Sequence, residues 1–94
     1  MGRRQWKITG FDSLSKIFEC SFPVAYLSAS EIVVLLQRLA STHLTKDEII
    51  LSSFRKNTIG YRPDLEIAPN LGGKRYGVNT SGNPYYIARV EEIA

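Results

Sequence analysis

Two side chains in this sequence could support covalent catalysis: Cys20 as a nucleophile and His43 as its base, the single cysteine and single histidine of the chain. Their surroundings point elsewhere. Cys20 lies between Phe18 and Phe22 in a strand-like stretch, where cysteine behaves as a small hydrophobe. His43 falls in a turn between two expected helices, where it can bond the last carbonyls of the first helix and favour its negative end. One histidine and one cysteine do not make a zinc set. The acidic pairs Asp47-Glu48 and Glu91-Glu92 do not chelate by themselves. Adjacent helical residues diverge, so the first pair reads as first-turn charge complementing the helix dipole, and the second as a solvated chain end. The run Gly72-Gly73-Lys74-Arg75-Tyr76-Gly77 suggests a phosphate loop. That motif requires glycine where Ala68 stands, serine or threonine where Arg75 stands, and a helix afterwards; here a strand is expected. The dinucleotide fingerprint fails as well. The expectation is a chain that is not an enzyme and holds no metal or cofactor.

The strongest functional pattern is a mixture of cationic and aromatic residues. Tyr61, Arg62, Lys74, Arg75, Tyr76, Tyr85, Tyr86 and Arg89 fall on expected loops and strands, a composition that can stack bases and contact phosphates. Tyr61, Arg62, Lys74, Arg75, Tyr76 and Arg89 are the candidate residues for binding a nucleic acid or a partner. The competing explanation is half-buried sheet tyrosines beside ordinary surface charge. The net charge of +3 is spread thinly: residues 1–22 carry four basic and two acidic side chains, 28–56 four and three, and 57–90 four and two. No polybasic arm is present, so the composition permits nucleic-acid binding without demanding it.

These residues must be positioned by one small domain spanning 1–94. A single cysteine excludes an intrachain disulfide, the basic start at Met1–Lys7 is not followed by an apolar signal core, and Ile32-Val33-Val34-Leu35-Leu36 is too short to span a bilayer. A cytoplasmic protein without a membrane partner is therefore expected. Residues 5–10 read as a strand with Trp6 and Ile8 on one side, 10–13 as a turn, and 16–22 as a second strand that Pro23 ends. Trp6, Ile8, Phe18, Cys20 and Phe22 would face the core.

Ser28-Ala29-Ser30-Glu31 and Thr45-Lys46-Asp47-Glu48 each place a hydroxyl three residues before a glutamate, ahead of an isoleucine. In each, the hydroxyl can accept the third amide of a helix while the glutamate reaches back to the cap amide. Helices over 29–41 and 46–54 follow, the first with an apolar stripe of Ile32, Leu35, Leu36 and Leu39. Their short connection predicts an αα-hairpin. Residues 57–73 read as a loop with a short extended piece at 65–68, then 74–79 and 85–90 as a hairpin.

The expected fold is α+β in the order β-β-α-α-β-β: an antiparallel sheet of two hairpins with the αα-hairpin on one face. Two helices before a hairpin also fit a winged helix-turn-helix outline, but Asp47 and Glu48 would meet phosphates and a third helix is missing. Three functions follow in order. The first is a non-enzymatic interaction module that docks another protein or a second copy of itself. The alternative is a nucleic-acid-binding module using the surface around 61–62 and 74–76. The third is an accessory subunit of an enzyme.

Overall fold

Alternating burial sets the first element. β1 (Arg3–Asp12) turns Trp6, Ile8 and Gly10 inward and Lys7, Thr9 and Phe11 to the other face. The computed structural model describes residues 3–69 and 76–93. β1 continues through Gly10, Phe11 and Asp12, which the sequence suggests as a turn; the turn comes later, with Ser13 at φ 55°. Gly10 belongs inside the strand because the ring of Tyr86 lies where a side chain would stand: an added Cβ would meet Tyr86 Cε2 at 2.6 Å and Cδ2 at 2.9 Å.

β2 (Ser15–Pro23) returns antiparallel, pairing Trp6 with Phe22, Ile8 with Cys20 and Gly10 with Phe18. The register then slips so that Phe11 faces Lys16, which leaves Ile17 as an extra residue in a bulge. After a 3-10 turn at Val24–Tyr26, the helices start where the hydroxyl–glutamate pairs predict, at α1 (Ala29–Ser41) and α2 (Lys46–Ser52). Both capping boxes are complete: Ser28 N–H donates to Glu31 at 2.9 Å and Thr45 N–H to Glu48 at 2.8 Å, while each hydroxyl accepts the glutamate's own amide. α2 stops short of residue 54. The Ser52 and Ser53 hydroxyls donate to the carbonyls of Glu48 and Ile49 at 2.7 and 2.8 Å, the back-bonding that weakens a helix from within.

After a second 3-10 turn at Pro63–Leu65, the chain adds β3 (Ile67–Pro69), β4 (Gly77–Thr80) and β5 (Tyr85–Ile93). Among the described residues the five strands make one antiparallel sheet in the order β2-β1-β5-β4-β3. The α+β class and both hairpins are present. The expected four-strand order is corrected: β3 is a strand, pairing Ile67 with Thr80 and Pro69 with Val78. β5 also runs past residue 90, because its far half pairs with the start of β1, Ile93 against Arg3.

The αα-hairpin is corrected too. α1 lies across β5 and β4 and buries Ile32, Leu36 and Ala40 there, with Trp6, Ile8, Val78, Tyr86 and Ala88 below. α2 has no fully buried residue and packs on the Pro63–Leu65 turn. The sheet has already taken the apolar stripe of α1, so α2 is held away from it. Polar ties fix the helical layer. Trp6 Nε1 donates to the Leu27 carbonyl at 2.9 Å, Gln37 Nε2 to the Leu65 carbonyl at 2.9 Å, and the Tyr86 hydroxyl meets His43 Nε2 at 2.7 Å.

Candidate functional site

The four candidate residues that the structure describes, Tyr61, Arg62, Tyr76 and Arg89, do not converge. Tyr61 and Arg62 sit between α2 and the Pro63–Leu65 turn, and acids hold both. Arg62 reaches Asp64 at 2.6 Å and Glu48 at 3.0 Å. The Tyr61 hydroxyl donates to the Glu66 carboxylate, and that bond, with a smaller contribution from burial, pushes its pKa up to about 12. Lys56 stands 4.0 Å from the same carboxylate. Three carboxylates, Glu48, Asp64 and Glu66, thus face two cations, Lys56 and Arg62. The cluster adjoins the Thr80 end of β4, where Ser81 N–H donates to the Glu66 carbonyl at 3.2 Å.

Tyr76 lies beyond the opposite end of β4. Its ring meets Trp6 edge-on at 5.7 Å, and the residue is 47% exposed. Lys74 and Arg75 lie outside the described residues. Arg89 alternates with the inward Ala88 and Val90, so it occupies the face away from the helices, paired across strands with Lys7 and Gly77. Tyr76 and Arg89 are therefore on opposite faces, with Tyr61 and Arg62 at a third place.

Cys20 and His43 are separately engaged. Burial pushes the Cys20 thiol up, which favours its protonated form, and the His43 ring packs against Tyr86 with centroids 5.8 Å apart. The sequence suggests helix carbonyls as the His43 partner; its side chain bonds a strand tyrosine instead. Among the described residues no group of three or more His, Cys, Asp or Glu is arranged to hold a metal ion, and no helix is long and apolar enough to cross a membrane.

What the structure does assemble is an open edge. β2 is the outermost strand on its side, paired only with β1 among the described residues. Its inward row, Phe18, Cys20 and Phe22, is expected to be core, yet Phe18 is 38% exposed and the other two are only partly buried. The cause is the lateral offset of α1, which covers β5 and β4. Tyr26 extends the apolar row by stacking on Phe22 at 6.4 Å with planes 14° apart, and is 71% exposed. On the other face of β2, Glu19 is held by Lys16 at 3.1 Å and Lys7 at 3.5 Å. Its carboxyl is lowered, chiefly by the hydrogen bond from Lys16. The edge carries a partly covered aromatic row on one face and a locally compensated charge on the other.

No known family, curated protein or solved structure matches the chain. The functional reading therefore rests on the geometry alone. The periodicity of β2 identified its aromatic row correctly. It carried no signal that the helical layer would sit two strands away.

Proposed function

We propose that the protein is a non-enzymatic interaction module that associates with a second copy of itself by adding strand to strand at the β2 edge. One observation carries the reading: a nine-residue edge strand whose inward aromatic row is only partly covered, with Phe18 38% exposed. An edge strand presents backbone donors and acceptors ready for a further strand, and natural proteins usually blunt such edges. Here Glu19 places a charge on the strand that Lys7 and Lys16 offset, and the other blunting lies at the ends, at the Ile17 bulge and at Pro23, which lacks an N–H. Pairing would satisfy the backbone groups between them and bury Phe18, Phe22 and Tyr26.

The alternative of nucleic-acid binding has less behind it. The Tyr61–Arg62 part of that surface is matched by acids, so it offers phosphates little attraction. The third reading, an accessory subunit of an enzyme, draws on the His43–Tyr86 pair.

Sedimentation equilibrium from micromolar to millimolar protein tests the proposal. A rise in mass from one chain to two is expected. A single chain throughout that range overturns it. Titration with labelled single-stranded DNA and RNA at low salt addresses the alternative, and tight binding there by a strictly monomeric protein would reverse the order of the two readings.

A further inference from the structure

Resting on self-association through β2, we infer that two copies meet about a two-fold axis at Cys20, so that Phe18 of each lies opposite Phe22 of the other. The length of regular edge limits the register. The bulge ends regular geometry at Ile17 and Pro23 removes a donor, so the usable window is 18–22. Its centre is Cys20. A two-fold axis perpendicular to the sheet keeps the helical layers of both copies on one face. It must therefore pair inward residues with inward residues. Inward residues of β2 are the even-numbered ones, Phe18, Cys20 and Phe22.

The three registers centred on the interior residues of the window, Glu19, Cys20 and Ser21, can then be compared. An axis at Glu19 sets Glu19 against Glu19, and like charges directly opposite are destabilising. An axis at Ser21 pairs Phe18 with Val24, which has left the strand for the 3-10 turn. An axis at Cys20 uses the whole window. The sequence Phe18-Glu19-Cys20-Ser21-Phe22 is self-complementary when reversed: Phe meets Phe twice, and each Glu19 meets a Ser21 hydroxyl able to donate to it. The two irregular positions, Ile17 and Pro23, then face one another outside the window. Each Glu19 keeps Lys7 and Lys16 of its own chain. Cys20 contributes no chemistry; it marks the axis.

Complementary substitutions test the register. Phe18→Glu alone and Phe22→Lys alone each oppose a charge to an aromatic ring in both halves of the pair, and each should weaken self-association at least about tenfold. Mixing the two variants puts the introduced charges opposite each other at one end and the native Phe22 and Phe18 opposite each other at the other. The mixture should recover most of the lost affinity. A short bismaleimide should link Cys20 to Cys20 in the parent protein and in the mixture, only weakly in either variant alone, and not at all in Cys20→Ser. Circular dichroism melts establish that each variant folds. Association without Cys20 linkage and without recovery on mixing overturns this register while leaving self-association standing; a protein that never associates overturns both.

Discussion

Replacing Gly10 with alanine probes the close packing of the Tyr86 ring on β1. Two opposed effects act. In a strand, alanine is ordinarily favoured over glycine by roughly 0.5–1 kcal/mol, because the unfolded chain loses less freedom. Against that, the new methyl would approach Tyr86 Cε2 at 2.6 Å, Cδ2 at 2.9 Å and Phe18 Cβ at 3.2 Å. Relief by moving the ring is restricted. Tyr86 is 4% exposed, its hydroxyl is bonded to His43 at 2.7 Å, and Phe18 packs edge-on to it at 6.1 Å. Overpacking of this kind costs about 1–3 kcal/mol. With the ring held, the upper half of that range applies, and the balance is a net loss of about 1–2.5 kcal/mol. For a domain of this size that lowers the melting temperature by about 4–20 °C. Urea and thermal denaturation followed by circular dichroism measure it. In a Tyr86→Leu background the same Gly10→Ala change should become neutral or stabilising, which isolates the ring as the cause. A single variant as stable as the parent would show that the ring does not hold Gly10 in place.

The remaining predictions concern the helices and the acid limb of stability. Leu36→Ala empties a fully buried site under α1 and should cost about 2–5 kcal/mol in urea denaturation, whereas Ile50→Ala on exposed α2 should stay within about 0.5 kcal/mol. Ser28→Ala and Thr45→Ala each remove a capping acceptor, with an expected loss of about 1 kcal/mol each; the Thr45 change should also shorten α2, read by amide exchange. The carboxyls of Glu31 and Glu48 lie below the ordinary 4.5, first through the cap amides of Ser28 and Thr45, so NMR titration should place both midpoints under that value. A lowered folded pKa means this stabilisation is present above about pH 4.5 and fades as pH falls through the folded value. Glu31→Gln and Glu48→Gln keep the acceptor and should flatten that acid limb.

Local chemistry made much of the fold legible. The two hydroxyl–glutamate pairs located both helix starts, and strict alternation assigned Trp6, Ile8 and Phe18 to one side of the N-terminal hairpin. What stayed hidden depended on distant parts of the chain. Gly10 reads as a turn residue until Tyr86 is known to lie over it. Residues 67–69 become a strand only because β4 offers an edge to pair with. The candidate site suffered most, since composition counts Arg62 as a cation and cannot show Glu48 and Asp64 beside it. Nor can alternation within single strands reveal that Tyr76 and Arg89 fall on opposite faces of a shared sheet.

The pairing of β1 with β5 has a consequence for how the protein is made. Arg3 meets Ile93 and Phe11 meets Tyr85, so β1 is synthesised well before the strand it must pair with. Closing so long a loop is slow relative to forming hairpins, and until it closes the N-terminal ribbon has two unpartnered edges instead of one. A nascent chain stalled before Tyr85 would expose Trp6 and Ile8 to solvent, a natural target for a chaperone that recognises oily extended segments.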